Sequence, residues 1–423
     1  MNPNLNPSLP MQNSRRDVLR FGAGVLAGGV VGRFSPADAT AAENLAGQPK
    51  LKITAVKTYL LRHHLKRPFG ASVSVPLPKI REALLVKIET DEGLVGWGET
   101  APISGARGTI DDQLASHLIG QNPLEYRRLW RTLWGANFGN GLAVGAVETA
   151  LNDLRGKAMN LPISELFGGR LRQRVPVYAS AMDYTEGLEI EDYYPEASAE
   201  AVQRGFKAMK MRVGRYSVAR EAKVAAAVRR IVGPDIQLMA DGNGAYTMGN
   251  AIRMGHVLDE LGFEFVEEPL PQSPRYAGYA ELRRKLPLPL AGGEALDSRT
   301  AAKQLMDDHA VDIIQPDISL CGGLGEVLFI SELAKLSSIR YIPHCWGGDI
   351  LIAATVQLLA LMHEPHRSLP TDTPMLELDQ AENPWRDGLA TERFVFRDGF
   401  MTVPTKPGLG IEVDEDVVKQ YAV

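Results

Sequence analysis

Gln237-Leu-Met-Ala-Asp241-Gly-Asn243, Phe265-Val-Glu267-Glu268-Pro269 and Leu290-Ala-Gly-Gly-Glu294 decide the fold. Each is a short apolar run ending in a carboxylate, and successive carboxylates stand 26 and 27 residues apart. That step accommodates one strand and one helix. Working outward, the same design recurs in Phe206-Lys-Ala-Met-Lys210-Met-Arg212, Ile313-Ile-Gln-Pro-Asp317, Tyr341-Ile-Pro-His344 and Met375-Leu-Glu377. From Arg212 onward the steps are 29, 26, 27, 23, 27 and 33 residues. Strands of a parallel barrel all run one way, so their C-terminal ends gather at one mouth. A polar residue at every such end builds one site from many elements.

Helix-like segments fill the intervals at 219–232, 250–261, 299–310, 323–336 and 350–362, and a first barrel strand reads at 175–180. This alternation argues a parallel α/β architecture, a modified (β/α)7β TIM-like barrel over 175–377. Residues 50–170 read differently. Strand-like runs at 52–61, 82–90 and 94–99, the second and third joined by the tight turn Asp91-Glu-Gly93, precede a helical region. There Val147, Ala150, Leu151, Leu154 and Ala158 share one stripe. The tail, 378–423, returns to strand and turn and is expected to pair with the N-terminal sheet. Both chain ends would then form an α+β capping domain.

Residues 1–45 stand apart from the fold. Ser14-Arg15-Arg16-Asp17 precedes the apolar run Phe21 to Val31, and Ala37-Asp-Ala39 and Ala39-Thr-Ala41 offer cleavage sites. This order resembles a twin-arginine export signal, so a periplasmic location is expected. The apolar run is too short for a permanent anchor. The formal net charge of −5 and the lack of a long basic patch argue against nucleic acid. Two cysteines, Cys321 and Cys345, imply no disulfide framework and read as small buried residues beside the site.

Three carboxylates converging on one point repel each other and need a cation. Asp241, Glu267 and Glu294 therefore read as ligands of Mg²⁺, which prefers oxygen donors. Glu268 is expected to turn to the other face of its strand, as a supporting group or ion-pair partner. Lys210 and Arg212 are two apart and face one side. His344 ends a strand, and Asp317 is placed to orient its imidazole. The other histidines (63, 64, 117, 256, 309, 363 and 366) read as structural.

These positions carry a resemblance to the mandelate racemase subgroup of the enolase superfamily. The chain is similar to it in Gly96-Trp-Gly-Glu99, Lys210-x-Arg212, Asp241-x-Asn243, Glu267-Glu-Pro269, Gly293-Glu294, Pro316-Asp317 with Cys321-Gly-Gly323, Pro343-His344 and Pro404-x-x-Pro407-Gly-Leu-Gly410. The wording near 52–69 and at His344-Cys-Trp-Gly347 resembles acid-sugar enzymes, lactone cycloisomerases included. The resemblance implies a small-molecule carboxylate that loses its α-proton to an enzymic base. Mg²⁺, Lys210 and Arg212 would stabilise the resulting enediolate. Glu377 matches the residue that hydrogen-bonds the opposite carboxylate oxygen, for which burial must keep it protonated. Association into homo-oligomers is an expectation by analogy alone.

One departure matters. The family pattern is Lys-x-Lys, and here the second lysine is Arg212. Guanidinium is effectively never deprotonated. Arg212 is expected to be fixed charge, leaving the His344–Asp317 pair as sole base. That favours β-elimination, from a sugar acid (dehydratase) or its lactone (cycloisomerase), over a racemase or epimerase with a base on each face. A third reading is a periplasmic sugar-acid binding protein that has lost catalysis. Substrate contacts are expected from Asn243 and from two mobile segments, 61–75 with Arg67 and 102–108 with Arg107.

Overall fold

The structure is a computed structural model, and it describes residues 49–423 except 104, 274 and 363–372. The export signal read in 1–45 lies outside the described residues, as do His363 and His366. No described helix is long and apolar enough to cross a membrane.

Strands β1 (Ile53–His64), β2 (Ile80–Thr90) and β3 (Val95–Thr100) form an antiparallel sheet in the order β1-β2-β3. Helix α1 (Tyr126–Ala136) and helix α2 (Val144–Met159) follow. Val147, Ala150, Leu151 and Leu154 of α2 bury against Leu84, Val86 and Ile88 of β2. Gly96 and Gly98 permit this closeness. A Cβ at Gly96 would lie 2.2 Å from the Ala150 carbonyl, and one at Gly98 would lie 1.9 Å from that of Ala146. Trp97, between them, packs on Tyr59 and under the Lys87 ammonium.

Among the described residues, eight short strands run parallel: β4 (Arg174–Ser180), β5 (Ala208–Arg212), β6 (Gln237–Asp241), β7 (Phe265–Glu267), β8 (Leu290–Gly292), β9 (Ile313–Ile314), β10 (Arg340–Tyr341) and β11 (Leu376–Asp379). Their spatial order is β11-β4-β5-β6-β7-β8-β9-β10. A helix separates each pair in sequence: α3 (Ile190–Gln203), α4 (Val218–Val232), α5 (Met248–Glu260), α6 (Tyr279–Arg283), α7 (Arg299–Asp307), α8 (Leu324–Leu336) and α9 (Asp349–Leu359). This is the expected (β/α)7β barrel. Tyr178, Ala208, Met239, Phe265, Ala291, Ile313, Ile342 and Met375 form one buried cluster that fills its interior.

The tail departs from expectation. Its hairpin, β12 (Phe396–Arg397) and β13 (Phe400–Thr402), pairs antiparallel with barrel strand β4, not with the N-terminal sheet. The reason is apolar cover: Phe396 stacks on Phe206 at 4.4 Å, and Met401 is buried. The tail meets the N-terminal sheet through side chains, with Asp379 paired to Arg81 of β2 at 2.7 Å and Glu382 to His63 of β1 at 2.8 Å, and the chain end joins it too. The chain end does so through helix α10 (Glu415–Tyr421) and a hydrogen bond from Val423 N to Leu60 O at 2.9 Å. Gly408 docks on α2, where a Cβ would meet Asp153 Oδ1 at 2.1 Å.

Two buried carboxylates of the N-terminal part cap barrel helices. Glu99 accepts from Gly348 N (2.6 Å) and Leu351 N (3.1 Å) at the start of α9. Glu148 accepts from Leu324 N (2.8 Å) and Gly325 N (3.1 Å) at the start of α8. Exposed helix N-termini bind negative charge, so each pairing couples the cap to the barrel.

Candidate active site

Register brings the site together. Arg212 on β5 pairs with Asp241 on β6, and Asp241 pairs with Glu267 on β7. Three charged side chains thus share one rung at the C-terminal ends of adjacent strands. Asp317 and His344 lie just past β9 and β10 and form their own parallel bridge. Glu294 stands two residues past β8.

The centre of this constellation is dry. Lys210 Nζ contacts Glu267 and Glu377 at 2.8 Å and Asp241 at 3.6 Å. All four side chains are 1% exposed or less, whereas Glu294 is 22% and His344 14% exposed. The first group forms the floor, and the second faces a cavity. Arg212 donates from Nε to Asp183 Oδ1 (3.0 Å), from Nη1 to Asn243 Oδ1 (3.2 Å), and through Nη1 to Asp241 as well. Gln315 Nε2 donates to Glu267 at 2.8 Å.

His344 Nδ1 lies 2.7 Å from Asp317 Oδ2, and Nε2 lies 3.5 Å from Glu294. Ser319 N and Oγ both donate to Asp317 Oδ1 at 2.6 Å, which fixes the carboxylate. Burial pushes the imidazole pKa down. Glu294, the Asp317 hydrogen bond and Glu377 outweigh it and hold the value up at about 10. Burial raises Glu267 and Glu294, which neighbouring carboxylates reinforce.

For Glu377, expected to be protonated, burial pushes the pKa up. Lys210 and then His344 overcome that push and hold Glu377 below the ordinary carboxylate value. Its carboxyl group lies 2.8 Å from Lys210 Nζ. Glu268 does turn away from the rung and is buried. It accepts from Tyr276 (2.9 Å) and Gly293 N (3.0 Å), so it supports the loop and makes no ion pair among the described residues.

The cavity is about 370 Å³. Arg212, Asn243, Glu294 and His344 line it, together with Phe69, Gly70, Ser74 and Ile80. Arg67 and Arg107 do not. Arg67 is exposed, and Arg107 pairs on the surface with Asp111 at 3.6 Å. No described residue of 102–108 lines it either. Residues 106–108 form a helical turn, so only the 65–74 part of the first segment serves the cavity. Among the lining residues that escaped the sequence reading are Arg81, Asp183 and Trp346. Two guanidiniums lie over the Trp346 ring, Arg81 at 5.3 Å and Arg212 at 4.9 Å from its centroid. Its signal was present, two residues after His344. Cys321 and Cys345 are buried free thiols beside the site, as expected.

Among the described residues, no three His, Cys, Asp or Glu side chains stand together as a ready metal-binding set. The ends of the strands that lead to Asp241, Glu267 and Glu294 adjoin at one mouth. Arg212 and Lys210 neutralise Asp241 and Glu267. The chemistry of the donor set still suits a hard cation. Six carboxylates (Asp183, Asp241, Glu267, Glu294, Asp317 and Glu377) face three cationic groups (Lys210, Arg212 and His344) in a buried space.

Residues 55–168 match the mandelate racemase / muconate lactonizing enzyme N-terminal domain, and residues 194–417 match the enolase C-terminal domain-like model. The chain belongs to the mandelate racemase / muconate lactonizing enzyme family of the enolase superfamily. It is 36% identical over 378 residues to D-galactarolactone cycloisomerase of Agrobacterium fabrum, covering 88% of this chain and 99% of the relative. It is 31% identical over 349 residues to arabinonate dehydratase of Saccharolobus solfataricus, covering 80% and 90%. The crystal structure of 3,6-anhydro-D-galactonate cycloisomerase from Zobellia galactanivorans superposes with a TM-score of 0.77 at 33% identity, covering 88% and 99%. A racemase from Streptomyces coelicolor with bound magnesium superposes at 0.77 and 26% identity, covering 88% and 100%. Members of this superfamily use Mg²⁺. The protein is an enzyme of the lyase or isomerase kind that its relatives represent.

Proposed function

We propose that the protein removes the α-proton of a sugar-acid carboxylate, or of its lactone, and then eliminates the β-oxygen. The observation that carries this is the His344–Asp317 pair at 2.7 Å, facing the same cavity as Arg212 and Asn243. The relatives' printed activities, lactone cycloisomerisation and sugar-acid dehydration, point the same way.

Asp241, Glu267 and Glu294 would hold Mg²⁺, and Arg212 and Lys210 would yield part of their hold on the first two. The ion would supply positive charge to the substrate carboxylate. Lys210 and Arg212 offer fixed positive charge where the enediolate's negative charge develops. Asp317 holds the imidazole so that Nε2 faces the cavity. Glu294 is the strongest upward influence on His344. Neutralising Glu294 therefore frees the imidazole to accept the α-proton, which it returns to the departing oxygen. Arg212 cannot serve as a base, which favours elimination over racemisation. A racemase remains the second reading, since the Streptomyces coelicolor structure shares the fold.

The test is turnover of sugar acids and lactones with Mg²⁺, D-galactarolactone and D-galactonate first, read by appearance of a carbonyl. Exchange of the α-hydrogen with solvent deuterium in both antipodes, with no elimination, would replace this reading by a racemase. Metal-dependent binding with no turnover would replace it by a binding protein. Export to the periplasm belongs to the same proposal and is read by the protein's presence in a periplasmic fraction.

A further inference from the structure

Elimination leaves a chemical demand unmet. Removing the α-proton and expelling the β-oxygen yields an enol. That enol becomes the 2-keto product only when the β-carbon gains a proton. When a β-hydroxyl leaves as water, His344 has by then given its proton to it, and Arg212 has none to give. Asp183 occupies the right place. It follows the first barrel strand, lines the cavity with Arg212, Asn243 and His344, and is 4% exposed. Its Oδ1 accepts from Arg212 Nε at 3.0 Å. The residue before it, Met182, has φ +61. A left-handed conformation in a non-glycine residue is strained and persists where the surroundings impose it, often at functional sites. Here it sets the chain that presents Asp183 to the cavity.

We propose that Asp183 is the acid–base residue of the Arg212 side of the cavity and delivers a proton to the β-carbon of the enol. The O–H bond of the Asp183 carboxylic acid breaks as a C–H bond forms at the β-carbon. The enol's carbon–carbon double bond supplies the electron pair, and the enol oxygen becomes a carbonyl. The enol hydroxyl proton leaves to water, and Asp183 takes a proton back from water, so nothing is consumed. Burial raises the pKa of Asp183 to about 6, against the lowering by Arg212. Both protonation states are then accessible near neutral pH.

This inference rests on the elimination reading, and the experiment separates the two. The Mg²⁺-loaded protein converts D-galactonate in D₂O, and NMR reads the deuterium at the β-carbon of the product. The wild type is expected to deuterate one face. Asp183→Asn is expected to slow turnover at least 100-fold, to lose the single-face preference and to lose the pH dependence that follows Asp183. Should that variant not fold, Asp183→Ala supplemented with formate is expected to regain activity. Asp183→Asn retaining single-face deuteration at near wild-type rate would overturn the assignment while leaving elimination intact. So would Asp183→Ala with no response to formate but wild-type pH dependence. Absence of elimination by the wild type on the whole sugar-acid panel would defeat the reading of the site, and this inference with it.

Discussion

Arg212 and Asp241 occupy the same rung of the barrel on neighbouring strands, and the Arg212 guanidinium is bonded to the Asp241 carboxylate. A carboxylate proposed as a metal ligand is thus held by a fixed cation. The two roles compete. Arg212→Gln is expected to tighten Mg²⁺ binding by about tenfold, or about 1.4 kcal/mol. It is also expected to slow turnover by about 10²- to 10³-fold, the usual effect of losing one group that stabilises a developing oxyanion. Calorimetric titration with Mg²⁺ and steady-state rates check both halves.

Lys210 is the buried counter-charge of Glu267 and Glu377, with Asp241 close by. Removing one partner of a buried pair leaves uncompensated charge, at a cost of about 3–5 kcal/mol. Lys210→Met should lower the melting temperature in EDTA. Added Mg²⁺ should recover more of that loss than it adds to the wild type. Equal shifts in both proteins would refute a metal site on these carboxylates.

The contact between strand β3 and helix α2 leaves no room for a side chain. Gly98→Ala places a methyl group 1.9 Å from the Ala146 carbonyl. Overpacking of this kind costs about 1–3 kcal/mol, and backbone cannot swing aside as a side chain does. Thermal or urea unfolding should show a loss in that range or above it.

Stability should also carry a mark of Asp349 at the start of helix α9. Burial raises its pKa to about 7, although Ala390 N donates to it. The folded value lies above the unfolded one, 3.8, so ionising this group opposes folding. Its penalty is absent below about pH 4 and grows as pH rises through about 7. Asp349→Asn should flatten that part of the stability profile, measured as melting temperature against pH.

Much of the barrel was legible because polar residues close apolar runs at a helix-plus-strand interval. Asp241, Glu267, Asp317 and His344 are found that way, and the segment read as a helix at 219–232 matches Val218–Val232 closely. Helix α3 was not legible, because Pro195 lies inside it and interrupts its pattern. Arg81 and Asp183 were hidden for another reason. Arg81 comes from a strand of the capping sheet, and Asp183 lies three residues past the end of β4, so neither falls in the strand-end series. The 2.8 Å contact between Glu377 and Lys210 was not legible, because spacing along the chain does not reveal it.

Nε2 of His344 is proposed to take the α-proton in a site whose carboxylates would bind Mg²⁺. The direct measurement is proton NMR of D-galactarolactone or D-galactonate incubated with wild type and His344→Asn in Mg²⁺ buffer and in EDTA. Loss of the α-proton signal and formation of a keto product are expected for wild type in Mg²⁺ only. His344→Asn should bind Mg²⁺ as well as wild type but turn over at least about 10³-fold more slowly, within the range for losing a general base. Turnover by His344→Asn at the wild-type rate, or full wild-type activity in EDTA, would contradict this proposal.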